Sequence, residues 1–272
     1  MPFSVRFESC NIPVCRLGLA TRGNTHLNPE DIWLALERGI NYWNWCGHKD
    51  GMSQAIRESG PLRRTVVVAT QLSARDNEGA RRELEQRLEV LKTSYVDVIT
   101  FYYVETDEEW NEIIGSGGAL EAIARAREEG LLRMIGLTTH QRALANRILA
   151  SRLLDLLMVR YNAAHRGAER EIFMQAQQIN FPLVTFTGLR WKALLHSTRE
   201  DPETFVPPPA REWYRFVLAH PAVSVALMAP NNRPELLENL KLLKDWRLPT
   251  PEEYKTLCQH GDRVHRHAGK FL

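Results

Sequence analysis

Polar side chains crowd one short segment of the sequence, from Asn44 to Asp50, directly after an apolar run. Within it His48 and Asp50 lie two positions apart, and a histidine near a carboxylate can exchange protons at neutral pH. Lys49 adds a positive charge between them. The segment is either an active-site loop or a solvated connection, and the elements that position it distinguish the two.

Short runs of β-branched and apolar residues alternate with longer segments of helical periodicity along the chain. In one helical segment Ala80, Leu84, Leu88 and Leu91 recur three or four positions apart. Such alternation is typical of βα units and a parallel sheet. The eight predicted strands are Val14–Leu19, Ile40–Trp45, Thr65–Thr70, Val96–Tyr103, Leu132–Leu137, Leu154–Tyr161, Phe181–Phe186 and Ala222–Met228.

Eight βα units in 272 residues predict a closed (β/α)8 TIM barrel, an α/β fold of about 250 residues. A doubly wound open sheet is the alternative, but no G-x-G-x-x-G motif follows the first predicted strand. No low-complexity segment or linker divides the chain. We therefore predict a single barrel domain over residues 1–272.

A barrel of this kind carries its chemistry in the loops after the strands, at one end. The segment from Asn44 to Asp50 follows the second predicted strand, Gln71 ends the third, Tyr102 ends the fourth and Thr138 follows the fifth. The polar residues after the strands should therefore share one rim. We expect the segment from Asn44 to Asp50 to be an active-site loop.

Composition limits the remaining function classes. Because 35 Lys and Arg nearly balance 33 Asp and Glu, nothing indicates a nucleic-acid partner. No run approaches the ~18 apolar residues of a membrane span, so we expect a cytoplasmic protein without a membrane partner. The four cysteines have no metal-ligand spacing. We expect His260, His265 and His267 to lie on a solvated terminal helix, with no metal bound.

Several segments, in their order and spacing, resemble the aldo-keto reductase family over nearly the whole chain. The segment Arg160–Glu169 resembles more particularly a bacterial branch of it. The resemblance implies a (β/α)8 barrel that binds NADPH or NADH in an extended pose and passes a hydride to a carbonyl. The matching segments are GINYWNW, VVVATQ, LEQRLEVLKTSYVDVITF, EEGLLRMIGLTTH, LMVRYN, PLVTFTGL and ELLENL.

The family's four catalytic positions all hold other side chains in this sequence. By the resemblance, an Asp ends the second strand, a Tyr lies in the following loop, a Lys ends the third strand and a His ends the fourth. These positions fall on Asn44, at or next to Lys49, on Gln71 and on Tyr102. The family's Tyr donates a proton because a cationic Lys lowers its pKa, and neutral Gln71 cannot do this. The resemblance therefore implies an atypical active site.

Two interpretations of this site stay open. In the first the chemistry is rearranged, so that Tyr102 is the acid and His48 or Lys49 supplies the positive charge. In the second the barrel binds a ligand or cofactor without hydride transfer, or catalyses a nonredox lyase or hydrolase reaction with His48 and Asp50 as the acid-base pair.

By the resemblance, this sequence matches the family more closely at the cofactor-binding positions than at the catalytic positions. Phe186 falls where an aromatic ring stacks on the nicotinamide, and Thr138 with Thr139 could hydrogen-bond its carboxamide. Met158 replaces a Gln and removes one polar contact. The other cofactor-binding candidates are Asn162, Thr187, Gly188, Leu189, Asn232, Arg233, Glu238 and Asn239, of which Glu238 and Asn239 fit the adenine contacts.

Arg233 is the one basic residue in the segment where the family places several that bind the 2'-phosphate of NADP. A single Arg can still bind a phosphate through two hydrogen bonds. We therefore expect NADP to be slightly preferred over NAD, with a function that needs no cofactor also open. The predicted function is NAD(P)H-dependent reduction of a carbonyl on a small-molecule substrate, by a monomer or homodimer.

Overall fold

Eight parallel strands form the closed barrel that the sequence predicts, so the (β/α)8 fold class is confirmed. The computed structural model describes residues 3–10, 12–21 and 25–267. Each barrel strand pairs with the next along the chain, and the last pairs with the first. β1 (Ser4–Val5) and β2 (Val14–Cys15) form an antiparallel pair, and the barrel strands are β3 (Leu17–Ala20), β4 (Tyr42–Asn44), β5 (Val67–Leu72), β6 (Val98–Phe101), β7 (Met134–Thr139), β8 (Leu156–Arg160), β9 (Leu183–Phe186) and β10 (Val223–Met228).

Helices follow the barrel strands, and their first residues carry the expected capping signals. The side chains of Asn28, Asp50 and Thr106 each accept a hydrogen bond from a backbone N–H in the first turn of the helix that follows. Such caps fix where each loop ends and the helix begins. The helices are α1 (Pro29–Glu37), α2 (Gly51–Glu58), α3 (Asn77–Leu91), α4 (Asp107–Ile114), α5 (Ala119–Glu128), α6 (Arg142–Ser151), α7 (Met174–Gln178), α8 (Ala210–Ala219), α9 (Arg233–Lys244) and α10 (Pro251–His267).

The predicted first strand, Val14–Leu19, is in fact two strands separated at Arg16. The Arg16 side chain is almost fully buried and donates hydrogen bonds to the carbonyls of Leu218 and Val223, at 3.0 and 2.8 Å. The β1–β2 hairpin packs against inward residues at the beginnings of the barrel strands, among them Tyr42, whose ring lies 6.3 Å from that of Phe7. The hairpin therefore covers the N-terminal end of the barrel and leaves the opposite end for a site.

Alternation along each strand decides which side chains enter the barrel. Tyr42 packs in the barrel interior, whereas Trp43 packs in the larger core between barrel and helices. The next residue, Asn44, therefore faces inward. The same alternation makes Val67, Ala69 and Gln71 an inward row on β5.

No helix among residues 3–10, 12–21 and 25–267 is long and apolar enough to cross a membrane. The same residues contain no cluster of three or more His, Cys, Asp or Glu side chains that could hold a metal ion.

Candidate active site

A cavity of about 1140 Å³ opens at the C-terminal ends of the barrel strands. Its size suits a cofactor or drug-sized ligand. The strand register brings the second, third and fourth barrel strands together there, with Asn44 opposite Ala69 and Gln71 opposite Thr100. The predicted site residues that line the cavity are Asn44, His48, Gln71, Tyr102, Thr138, Phe186, Thr187, Gly188, Leu189, Glu238 and Asn239.

The segment after β4 forms one wall of this cavity, through Cys46 and His48. Buried Trp45 holds the segment, because its indole N–H donates to the carbonyl of His48 at 2.6 Å. Asn44 is itself almost fully buried, and its amide nitrogen lies 3.4 Å from the Cys46 sulfur. The segment is therefore a positioned loop, with His48 partly in the cavity.

Two predicted residues of this segment lie elsewhere. Lys49 is exposed and is not among the residues that line the cavity. Asp50 begins α2, where its Oδ1 accepts from the backbone N–H of Ser53 at 2.8 Å, and it does not line the cavity either. Spacing in sequence could not show this, because the turn after His48 directs the next side chain to solvent and the carboxylate to a helix cap.

Tyr102 directly follows β6 and is 37% exposed, so its ring stands in the cavity mouth. The ring stacks on that of Tyr103, with centroids 4.1 Å apart. Tyr103 has a φ of 42°, a left-handed conformation that is uncommon for an aromatic residue. Arg75 stabilises this turn by donating to the Tyr102 carbonyl at 2.7 Å while it pairs with Glu109 at 3.1 Å.

Ring contacts continue from Tyr103 to Phe186, which both line the cavity, through His140, which does not. The Tyr103 ring lies 4.6 Å from the His140 ring, which lies 5.4 Å from the ring of Phe186. His140 is fixed by Glu105, at 3.0 Å. Burial alone would raise the pKa of Glu105, but hydrogen bonds from the His140 side chain and backbone lower it. These tilted and edge-on contacts hold the rings of Tyr103 and Phe186 as cavity-lining surface beside Tyr102.

Two buried polar atoms in the remaining half have no hydrogen-bond partner among the described residues. They are the Thr138 hydroxyl oxygen, on a residue that is 0% exposed, and the Asn239 amide oxygen, on a residue that is 2% exposed. Both residues line the cavity. Because buried polar groups are nearly always hydrogen-bonded, each marks a place where a bound molecule could supply a partner.

Four predicted cofactor-binding residues instead make hydrogen bonds or ion pairs within the protein. Thr139 accepts from the backbone N–H of Gln141 at 2.9 Å, and the Asn162 amide donates to the Thr187 carbonyl at 2.8 Å. Asn232 caps α9, and the Arg233 guanidinium pairs with buried Asp31, 2.5 Å from its carboxylate oxygen. None of Thr139, Asn162, Asn232 and Arg233 is among the residues that line the cavity, so their cofactor roles stay predictions.

A long segment after β9, residues 187–209, covers one side of the cavity. Trp191, Lys192 and Leu195 line it, as does the proline run at 207–209. Three consecutive residues at 190–192 have positive φ values of 49°, 54° and 69°. Such conformations cost free energy and persist where the surrounding structure holds them, often at functional sites.

The C-terminal helix α10 anchors this segment through Asp201. The Asp201 carboxylate lies 2.9 Å from the His260 ring and 2.6 Å from the Arg263 guanidinium. His260 is fully buried there, so the expectation that it is solvated was wrong, although His265 and His267 are exposed. Burial alone would raise the pKa of Asp201, but hydrogen bonds from Thr198, His260 and Arg263 lower it to about 2.

Arg87 is a cavity residue that sequence reasoning missed. It lies on α3, away from the strand ends and from the family's cofactor positions that supplied the predicted site residues. Lys192 was also absent from the predicted site, whereas Cys46 lies in the segment from Asn44 to Asp50 and Trp191 on the rim after the seventh predicted strand, where site residues were expected.

The chain belongs to the aldo/keto reductase family, whose model matches residues 28–212. No curated protein matches the chain. Solved structures support the fold at low identity. An aldo/keto reductase from Klebsiella pneumoniae in complex with NADP and acetate is 18% identical with a TM-score of 0.78, over 96% of each chain.

Two other solved structures share the barrel fold. The apo form of an aldo-keto reductase from Bacillus halodurans is 17% identical, with a TM-score of 0.74 over 94% of this chain and 95% of that one. The glycerol dehydrogenase from Gluconobacter oxydans is 16% identical, with a TM-score of 0.71 over 99% of this chain and 97% of that one. At these identities the similarity shows the barrel fold and not a shared substrate.

Proposed function

We propose that this protein is a nicotinamide-dependent oxidoreductase that reduces a carbonyl group on a small molecule within the cavity. One observation carries the proposal: unpartnered polar atoms of Thr138 and Asn239 line the same cavity as the aromatic side chain of Phe186. A nicotinamide dinucleotide would meet all three, because it carries a flat ring with a carboxamide at one end and an adenine at the other. Family membership and the NADP complex of the Klebsiella pneumoniae enzyme point the same way.

The residues present fit such a cofactor. Phe186 would stack on the nicotinamide ring, Thr138 would hydrogen-bond the carboxamide, and Asn239 with Glu238 would contact adenine. When bound, the cofactor supplies the hydride for carbonyl reduction. The ring of Tyr103, which lines the cavity 6.2 Å from the ring of Phe186, would exclude water from the reacting face.

The proton would come from Tyr102, in an atypical site. Tyr102 stands in the cavity mouth near the ends of the strands that carry Asn44 and Gln71, which are both neutral. A cation beside the phenol favours proton release. His48 lines the cavity and Lys49 does not, so we assign the accompanying positive charge to His48.

NADP is proposed as the slightly preferred cofactor, through Arg233. Its guanidinium already pairs with Asp31, and its side chain is 53% exposed. A phosphate would therefore share a cation that is largely neutralised, which limits the gain over NAD.

A second function is favoured by a specific observation. The paired Asp and Lys that the family uses to tune its acid are replaced together, by Asn44 and Gln71. A barrel that binds a cofactor or ligand without hydride transfer would need neither charge. The nonredox alternative gains no support, because the carboxylate of Asp50 caps α2.

Titration of the purified protein with NADPH and NADH, followed by cofactor fluorescence, tests the proposal. We expect saturable binding of both, and turnover of part of a panel of aldehydes and quinones. Binding without any turnover would favour the binding-protein function. No fluorescence or calorimetric change at millimolar cofactor would refute both cofactor proposals. A cytoplasmic location and a monomeric or homodimeric state stay predictions, and light scattering measures the latter.

A further inference from the structure

Arg87 brings a positive charge into the half of the cavity next to Asn44 and His48. It reaches that wall from α3 because Gly47 has no side chain. A β-carbon placed on Gly47 would lie 2.9 Å from one terminal nitrogen of Arg87 and 3.3 Å from its central carbon. Gly47 also has a φ of 91°, which glycine adopts without strain. The loop is therefore shaped to admit the guanidinium.

Arg87 has no carboxylate to neutralise it among the described residues. Its one described partner is the ring of Trp45, 5.7 Å from the guanidinium carbon. Its Nε is buried without a hydrogen-bond acceptor in residues 3–10, 12–21 and 25–267. A guanidinium presents a planar fork of donors, so this arrangement leaves donors available to a ligand.

The other fully ionised side chains that line the cavity are all paired. Lys192 lies 2.6 Å from the Glu235 carboxylate. Glu238 pairs with Arg211 and, at 2.6 Å, with Lys241. Among the Lys, Arg, Asp and Glu side chains that line the cavity in the described part of the chain, Arg87 is thus the one whose charge no ion pair neutralises.

We infer that Arg87 binds an anionic oxygen group, a carboxylate or a phosphate ester, on the substrate. The inference rests on the proposed function, because it supplies the substrate class for that reaction. Arg pairs with either anion through two parallel hydrogen bonds, and a partly buried site strengthens them. An anion held on this wall would place the rest of the molecule toward Asn44, Gln71 and Tyr102. An uncharged carbonyl compound would leave the guanidinium without a counter-ion.

Binding of two unreactive anions, 4-methylbenzoate and inorganic phosphate, tests this without any turnover. Calorimetry would compare wild type with Arg87→Met, Arg87→Lys and the control Arg82→Met, which removes an exposed charge from the same helix. We expect Arg87→Met to weaken binding of the preferred anion by about 10- to 100-fold. Arg87→Lys should restore part of the affinity, because it keeps the charge without the fork. Arg82→Met should leave affinity unchanged.

Turnover with NADPH supplies a second measurement and identifies the anion. The matched pairs are 4-formylbenzoate against 4-methylbenzaldehyde, and glyceraldehyde 3-phosphate against glyceraldehyde. The charged member of one pair should have the higher kcat/KM, and Arg87→Met should remove that advantage through KM.

Three results would overturn the inference: neither anion binds, Arg87→Met binds the anion as well as wild type, or Arg82→Met loses as much affinity as Arg87→Met. A different result would refute the proposed function without refuting the anion site. If NADPH and NADH do not bind but anion binding still depends on Arg87, the oxidoreductase proposal is refuted and the anion site stands.

Discussion

Thr138→Val should change stability and cofactor affinity in opposite directions. The hydroxyl oxygen of Thr138 is buried without a partner among the described residues, and valine has nearly the same shape. An unsatisfied buried polar group costs about 1–3 kcal/mol, so its removal should stabilise the cofactor-free protein by up to that amount. If the hydroxyl bonds the carboxamide, its loss should weaken cofactor binding by about 0.5–1.5 kcal/mol, or roughly twofold to tenfold.

Urea unfolding of the cofactor-free protein and fluorescence titration with NADPH measure the two effects. Thr256→Val is the matched control, because Thr256 is exposed on α10 and its hydroxyl donates to the Glu252 carbonyl at 2.9 Å. The control should leave NADPH affinity unchanged. A Thr138→Val protein that is less stable than wild type and binds NADPH equally well would refute the reasoning, because the hydroxyl would then be serving the fold.

Other substitutions test the remaining assignments. Tyr102→Phe should lower turnover by roughly 100-fold, whereas Lys49→Met, at an exposed position outside the cavity, should change it less than twofold; equal losses would show that the loop assignment is wrong. NADPH and NADH should differ in dissociation constant by less than about tenfold, because Arg233 is already paired with Asp31. The pKa of Asp201 is lowered to about 2 in the folded protein. The ionised carboxylate should therefore add about 2 kcal/mol to the free energy of unfolding above pH ~4, and this contribution should be lost as the pH falls toward 2. Urea midpoints of wild type and Asp201→Asn should therefore converge in acid, and a constant difference would contradict this.

The fold could be predicted because each barrel strand carries its own signal. Alternating βα segments fixed the number of strands, and all eight occur within a few residues of the predicted bounds. The interruption of the first predicted strand at Arg16 was not predicted, because the residues around Arg16 are apolar and typical of a continuous strand. Only the tertiary structure provides the carbonyls of Leu218 and Val223 that let an arginine be buried there.

The alternation of side chains along a strand explains why part of the site was also predictable. Residues two apart on a strand face the same side, so Asn44 follows Tyr42 into the barrel, and Gln71 follows Ala69. The loops lack such a rule. Lys49 and Asp50 are adjacent to His48 in sequence, yet a helix cap fixes one and the other lies in solvent. Residue type alone does not distinguish these outcomes.

Arg87 shows why the charge of the site could not be derived from the sequence positions of the family's catalytic residues. Asn44 and Gln71 are uncharged, so the strand ends alone would predict a site without a charged side chain. The structure places a cation at the same wall from a helix, through a gap that only a glycine at position 47 leaves. This cation comes from a helix and not from the end of the third barrel strand, where the family's Lys lies, and no carboxylate among the described residues pairs with it. Its free donors fit a ligand better than they fit the tuning of a tyrosine, which is why we assign Arg87 to the substrate and the proton to Tyr102.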